Sequence, residues 1–93
     1  MSYYLADSNG YIADFASIGG LRAFSAWAQR HEGIKDFLRD GRATDLELLQ
    51  SALDTADAAG DIEHMRLALL AHARAAKDVL ILSDGADDAG GEE

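Results

Sequence analysis

Apolar residues recur at two different spacings along the chain, and the change from one to the other marks out the expected elements. Tyr3-Tyr4-Leu5-Ala6 and Tyr11-Ile12-Ala13-Asp14-Phe15 are aromatic-rich runs on either side of Asp7-Ser8-Asn9-Gly10. Asn9-Gly10 tolerates the positive φ values of a tight hairpin turn, so residues 3–15 read as a β-hairpin. With Asn9 and Gly10 alone as the loop, Tyr4, Ala6, Tyr11, Ala13 and Phe15 share one face. A longer loop from Asp7 shifts that register, and the residues leave both arrangements open. A two-stranded ribbon is marginal in water, so this one must pack on helices.

Beyond Ser17-Ile18-Gly19-Gly20, read as a connector, the spacing lengthens to three and four. Leu21, Phe24, Ala28 and His31, with Trp27 beside them, predict a helix over about 21–31, with Gly33 as its left-handed stop. Ile34, Phe37 and Leu38 predict a short helix over 34–40 that ends at Gly41. Thr44-Asp45-Leu46-Glu47 fits a capping box, with the threonine as N-cap and the glutamate reaching back. Leu46, Leu49, Leu53 and Ala56 then carry a helix over 45–58. Gly60 stops it and Asp61 caps the next. Ile62, Met65, Leu69, His72, Ala76 and Val79 carry a last helix over 62–82, which folds back on its predecessor as an antiparallel helical hairpin.

The two arms of that hairpin differ in length. At about 1.5 Å per residue the first is roughly 21 Å long and the second roughly 31 Å, so about 10 Å of the second arm, ending in Val79-Leu80-Ile81-Leu82, is left without a mate. A strand from Val79 to Ser83 joining the N-terminal ribbon is the competing reading of this β-prone run. The helix is preferred because Ala71–Asp78 is a strong helix former and no glycine or proline intervenes. The expected fold class is therefore mainly α: an N-terminal β-hairpin packed on a small helical domain with a C-terminal antiparallel helical hairpin. Residues 1–83 form its single compact domain, and 84–93 form a disordered acidic tail.

Composition narrows the chemistry. The chain has 93 residues and neither cysteine nor proline, which excludes disulfides, thiol nucleophiles and Cys-ligated zinc. Nothing approaches the roughly 20 apolar residues of a membrane span, and the opening residues lack the pattern of a signal peptide, so a cytoplasmic location away from membranes is expected. The formal net charge is −9, but five of the seventeen acids lie in Asp84–Glu93 with no base among them. The folded part is polarised: 21–43 holds five bases against three acids, and 45–63 holds six acids and no base. Lys35, Arg39 and Arg42 lie near one helical face. Asp36 and Asp40 neighbour them, so pairing within the chain, with the acidic helix, is expected over direct nucleic-acid binding.

No residue cluster demands a reaction. His64 and His72 lie about 12 Å apart along a helix and cannot share an ion, so no metal or cofactor is expected. Ser17–Gly20 lacks the spacing of a phosphate-binding loop, and Asp7–Gly10 lacks the distal ligands of a calcium loop. With no catalytic constellation, the expected function is a non-enzymatic protein–protein interaction or assembly module, with self-association as one option. Its apolar contact residues would be Tyr3, Tyr4, Tyr11, Val79, Leu80, Ile81 and Leu82. The alternative is a small acidic inhibitor or antitoxin-like protein that blocks a basic surface through Asp45, Glu47, Asp54, Asp57, Asp61 and Glu63. A phage or mobile-element assembly protein is a third option.

Overall fold

The Val79–Leu82 run is not the end of a helix. In the computed structural model, which describes residues 2–84, the last helix ends at Ala75 and the chain returns as a strand. The elements are β1 (Ser2–Asp7), β2 (Gly10–Ser17), α1 (Ile18–Ala28), α2 (Glu32–Asp40), β3 (Arg42–Ala43), α3 (Leu46–Thr55), α4 (Gly60–Ala75) and β4 (Leu80–Asp84). The strands form one antiparallel sheet in the order β2-β1-β4-β3, which seats the last strand beside the first. The fold is thus α+β, with four helices and a four-stranded sheet, and not a mainly α domain ending in a helical hairpin. Asp84, expected to open the disordered acidic tail, instead ends β4, and residues 85–93 of that tail lie outside the described residues.

Energetics explain why the strand wins. Moving Val, Leu and Ile from helix to strand forfeits only a few tenths of a kcal/mol each in propensity. Leu80 becomes fully buried beneath the sheet, a gain of about 1.5–3 kcal/mol. Backbone groups from Ile81 to Asp84 pair with Tyr3–Ala6 of β1. α4 ends where the backbone N–H of Lys77 turns away to donate to the Asp7 carboxylate at 3.0 Å. The anticipated mismatch in helix length also has a different answer. α4 is still the longer helix, 16 residues against 10 in α3, but it packs on α1 and β2 as well as on α3.

The ribbon departs from either expected register in an instructive way. Its loop is Ser8-Asn9, with Asp7 opposite Gly10, and the Asn9 N–H donates to the Asp7 carboxylate at 2.8 Å. The pairing then slips twice, leaving Ile12 and Phe15 as extra residues on β2. Each slip reverses the side on which the following residues lie. Phe15 and Ile12 therefore pack against the core while Tyr11 stays 65% exposed on the opposite side. In the unbulged register Phe15 and Tyr11 would share a face. Phe15 meets Phe24 edge-on at 5.9 Å, tying the ribbon to α1.

Helix ends move for equally local reasons. α1 begins at Ile18, because the Ser17 hydroxyl accepts from the Gly20 N–H; the expected connector is a cap plus a first turn. The N-cap of α3 is Asp45, whose carboxylate accepts from the Leu48 N–H at 3.0 Å, one residue beyond the expected Thr44. α3 stops at Thr55, three residues early, with Ala56 extended and buried. The carbonyls freed at that end find tertiary partners: Trp27 Nε1–H donates to Asp57 at 2.7 Å and the Arg66 guanidinium donates to Leu53 at 2.6 Å. Gly41 does end α2, with φ of 72°. Its carbonyl accepts from the Leu82 N–H, so helix end and sheet edge meet at a residue without a side chain.

Gly33 has a role other than the helix stop expected of it. It lies inside α2, and a Cβ there would stand 2.9 Å from the Ala52 Cβ of α3. Only glycine permits this approach of the two helices. Gly33→Ala should lower stability despite a helix-propensity gain of up to about 1 kcal/mol, because overpacking costs about 1–3 kcal/mol. Ala52→Gly added to Gly33→Ala should recover most of the loss, which urea titrations of the single and double variants would measure. A Gly33→Ala variant more stable than wild type by the full propensity gain of about 1 kcal/mol would refute the close contact.

Candidate functional site

The helices cover one face of the sheet. Strand alternation and register show what lies on the other. Leu5 pairs with Leu82 and Ala43 with Leu80, and all four belong to the core or pack against it. The intervening residues form two rows on the opposite side. One row runs Tyr11, Ala6, Ile81, Arg42 across all four strands, and the other runs Asp14, Tyr4, Ser83 across three. None of these seven residues belongs to the hydrophobic core.

The rows are apolar at the centre and polar at the ends. The Tyr4 and Tyr11 rings lie 6.0 Å apart at a tilt of 48°. Ala6 and Ile81 continue the apolar surface over the two central strands. Asp14 stands at the β2 edge and Arg42 at the β3 edge, both exposed. Partial loss of water contact, followed by the nearby Asp14 charge and its hydrogen bond, holds the Tyr11 phenol above its ordinary value of 10.0. Among the described residues the Arg42 side chain has no hydrogen-bond or ion-pair partner. The water-facing side of an antiparallel sheet is ordinarily polar. Here it carries two tyrosines, an isoleucine and an alanine inside a charged rim.

The anticipated apolar contact set is split by the pleat. Tyr4, Tyr11 and Ile81 lie together on the uncovered face. Tyr3, Leu80 and Leu82 point inward, and Leu80 is fully buried. Val79, just ahead of β4, is 7% exposed and stands apart from the main core cluster. The overhanging helical tip that suggested these residues does not exist. Ala6 is already expected on the Tyr4–Tyr11 face, but Asp14, Arg42 and Ser83 escaped the sequence reading: the bulges bring in Asp14, and only pairing with β4 brings in Arg42 and Ser83.

The acidic set is dispersed. Asp45 is occupied as the α3 cap, with Glu47 in the turn after it. Asp54, Asp57, Asp61 and Glu63 lie at the other end of α3, a 10-residue helix of about 15 Å. Both Glu63 oxygens accept from Arg66 at 2.7 Å, and these hydrogen bonds hold its carboxyl below the usual range. Of the cationic trio, Arg39 bridges Asp36 and Asp40, and Lys35 pairs with Glu32, so these pairs form within α2 and not, as expected, with the acidic helix. Asp36, Asp40 and Asp45, with Arg42 of the β3 edge, line a shallow groove between α2 and α3, but each carboxylate already accepts from a neighbouring group.

The histidines lie apart: His31 against Trp27 at 4.6 Å, His64 exposed and His72 half-buried. Among the described residues, no three His, Asp or Glu side chains are grouped to hold a metal ion. No helix among them is long and apolar enough to cross a membrane.

The uncovered face is held in place at the ribbon tip. The Asp7 carboxylate accepts from the backbone N–H groups of Lys77 and Asn9, and Ser8 Oγ donates to Asp78 at 2.9 Å. The Lys77 bond, then the Asn9 bond, lowers the Asp7 carboxyl below its ordinary 3.8. A carboxyl depressed in the folded state stabilises above the unfolded-state value and ceases to do so as pH falls through the folded value. Asp7→Asn should therefore lower the urea midpoint at pH 6, and the gap from wild type should shrink as pH falls below the ordinary carboxyl value of 3.8. A gap independent of pH would rule out the carboxylate's role.

Comparison with family models, curated proteins and solved structures gave no match for this chain.

Proposed function

We propose that this protein is a protein–protein interaction module that docks its partner on the helix-free face of its sheet. The observation carrying this reading is the composition of that face: Tyr4, Tyr11, Ala6 and Ile81 at its centre, with Asp14 and Arg42 at its rim. A tyrosine-bearing apolar centre within a polar rim is the anatomy of a protein contact surface. Tyrosine also supplies contact area at low conformational-entropy cost. The surface lies on strands rather than loops, so little ordering is needed on binding.

Site-specific photocrosslinking tests this reading. A photoreactive residue at position 11 should form adducts with a protein partner, either in extracts of the source cells or in the purified protein. The same residue at position 48 or 67, where exposed leucines lie on α3 and α4, should not. Adducts only from the helix positions would reject the sheet face as the docking surface.

A further inference from the structure

We infer that the partner for this face is a second copy of the chain, packed sheet on sheet; this rests on the reading just given. The face is self-complementary in charge. Its β2 edge carries Asp14 and its β3 edge carries Arg42, on opposite sides of one apolar centre. In face-to-face packing, a two-fold axis parallel to the strands places the β2 edge of each copy over the β3 edge of the other. The second copy's Arg42 then meets the Tyr11–Asp14 pair, and symmetry makes the contact twice. Asp14 and Tyr11 belong to adjacent rows, about 7 Å apart along the strand, which an arginine side chain spans. An axis across the strands would set Asp14 over Asp14 and Arg42 over Arg42. Charge therefore selects one of the two arrangements. Packed sheets ordinarily keep their strands within about 30° of parallel, which this arrangement allows.

Size sets the expected strength. Four strands at about 4.8 Å and about five residues at 3.3 Å give a footprint of roughly 300 Å² per copy. That is well under the about 800 Å² per partner of a standard stable interface, so the pair is a reversible one. A dissociation constant on the order of 10–500 µM is expected.

Sedimentation and light scattering from about 10 µM to 1 mM, a range bracketing that constant, test the inference directly. Wild type should move from monomer mass towards twice that mass, and less so in high salt. Asp14→Arg and Arg42→Asp should each weaken association at least about fivefold, and the double swap should restore it to within about threefold. Ile81→Lys should abolish it, with far-UV circular dichroism confirming that each variant is folded. Failure of the double swap to restore association, or a dimer that survives Ile81→Lys, would overturn the inference. So would a wild type that stays monomeric throughout. If position 11 then crosslinks to a different protein, the docking face stands and only the second copy falls; if it crosslinks to nothing, both fall.

Discussion

Replacing Leu80 with aspartate should abolish the folded state, while the same change at Ile81 should leave the domain folded and remove only its contact surface. Leu80 is fully buried against the helices, whereas Ile81 points to the other side of the sheet outside the core cluster. Truncating a buried leucine costs about 2–5 kcal/mol, and a carboxylate in the same place adds desolvation with no cation to pair with. A domain of this length has roughly 5–14 kcal/mol in total, so the Leu80 variant has little or nothing left. Ile81→Asp sits at a partly solvated position and should cost about 1 kcal/mol. Thermal melts followed by circular dichroism, with light scattering on the same samples, separate these outcomes. An aspartate scan over 80–83 should alternate, severe at Leu80 and Leu82 and mild at Ile81 and Ser83. A helical continuation of α4 would break that period of two, and equal damage at Leu80 and Ile81 would refute the strand.

That alternation also shows which parts of this fold could be read from the residues. The ribbon, the stripes Leu21-Phe24-Ala28 and Leu49-Leu53, and the end of α2 at Gly41 are local signals, and they appear in the structure near the expected places. Val79-Leu80-Ile81-Leu82 gave no such signal. Over these four residues neither face is polar, so the usual in-out alternation is invisible in an unbroken apolar run. The preceding Ala-rich segment favours helix by propensity alone. What decides the matter is pairing with β1, some 75 residues away, and a contact that remote leaves no trace in a short window. The face built by that pairing was hidden with it. The sequence points to Ile81 only as part of an unmated helix tip, and to Tyr4 and Tyr11 only as ribbon tyrosines near it. Arg42 reads as one of three cations near one helical face, and Asp14 only as a member of the ribbon's second run. Two bulges in β2 completed the concealment, since they move Phe15 to the core side while Tyr11 stays outside.

Truncating Trp27 to alanine should have the other large effect, lowering stability by about 3–5 kcal/mol. Its indole is 8% exposed and lies between the Phe24 ring at 5.1 Å and the His31 ring at 4.6 Å. Its Nε1–H donates to the Asp57 carbonyl at 2.7 Å, which clamps the α3–α4 connection onto α1. Trp27→Phe keeps an aromatic ring in the stack but removes the donor. It should cost about 1–3 kcal/mol, because the half-buried carbonyl loses its partner. Trp27 is the only tryptophan in the chain, so its fluorescence reports on this clamp in wild type. Emission should change in the same urea transition as far-UV circular dichroism if the clamp is part of the cooperative core. The two variants, followed by circular dichroism, then separate ring packing from the hydrogen bond. If Trp27→Phe proves as stable as wild type, the indole N–H contributes nothing. The early stop of α3 at Thr55 would then rest on the burial of Ala56 and on Arg66 at the Leu53 carbonyl.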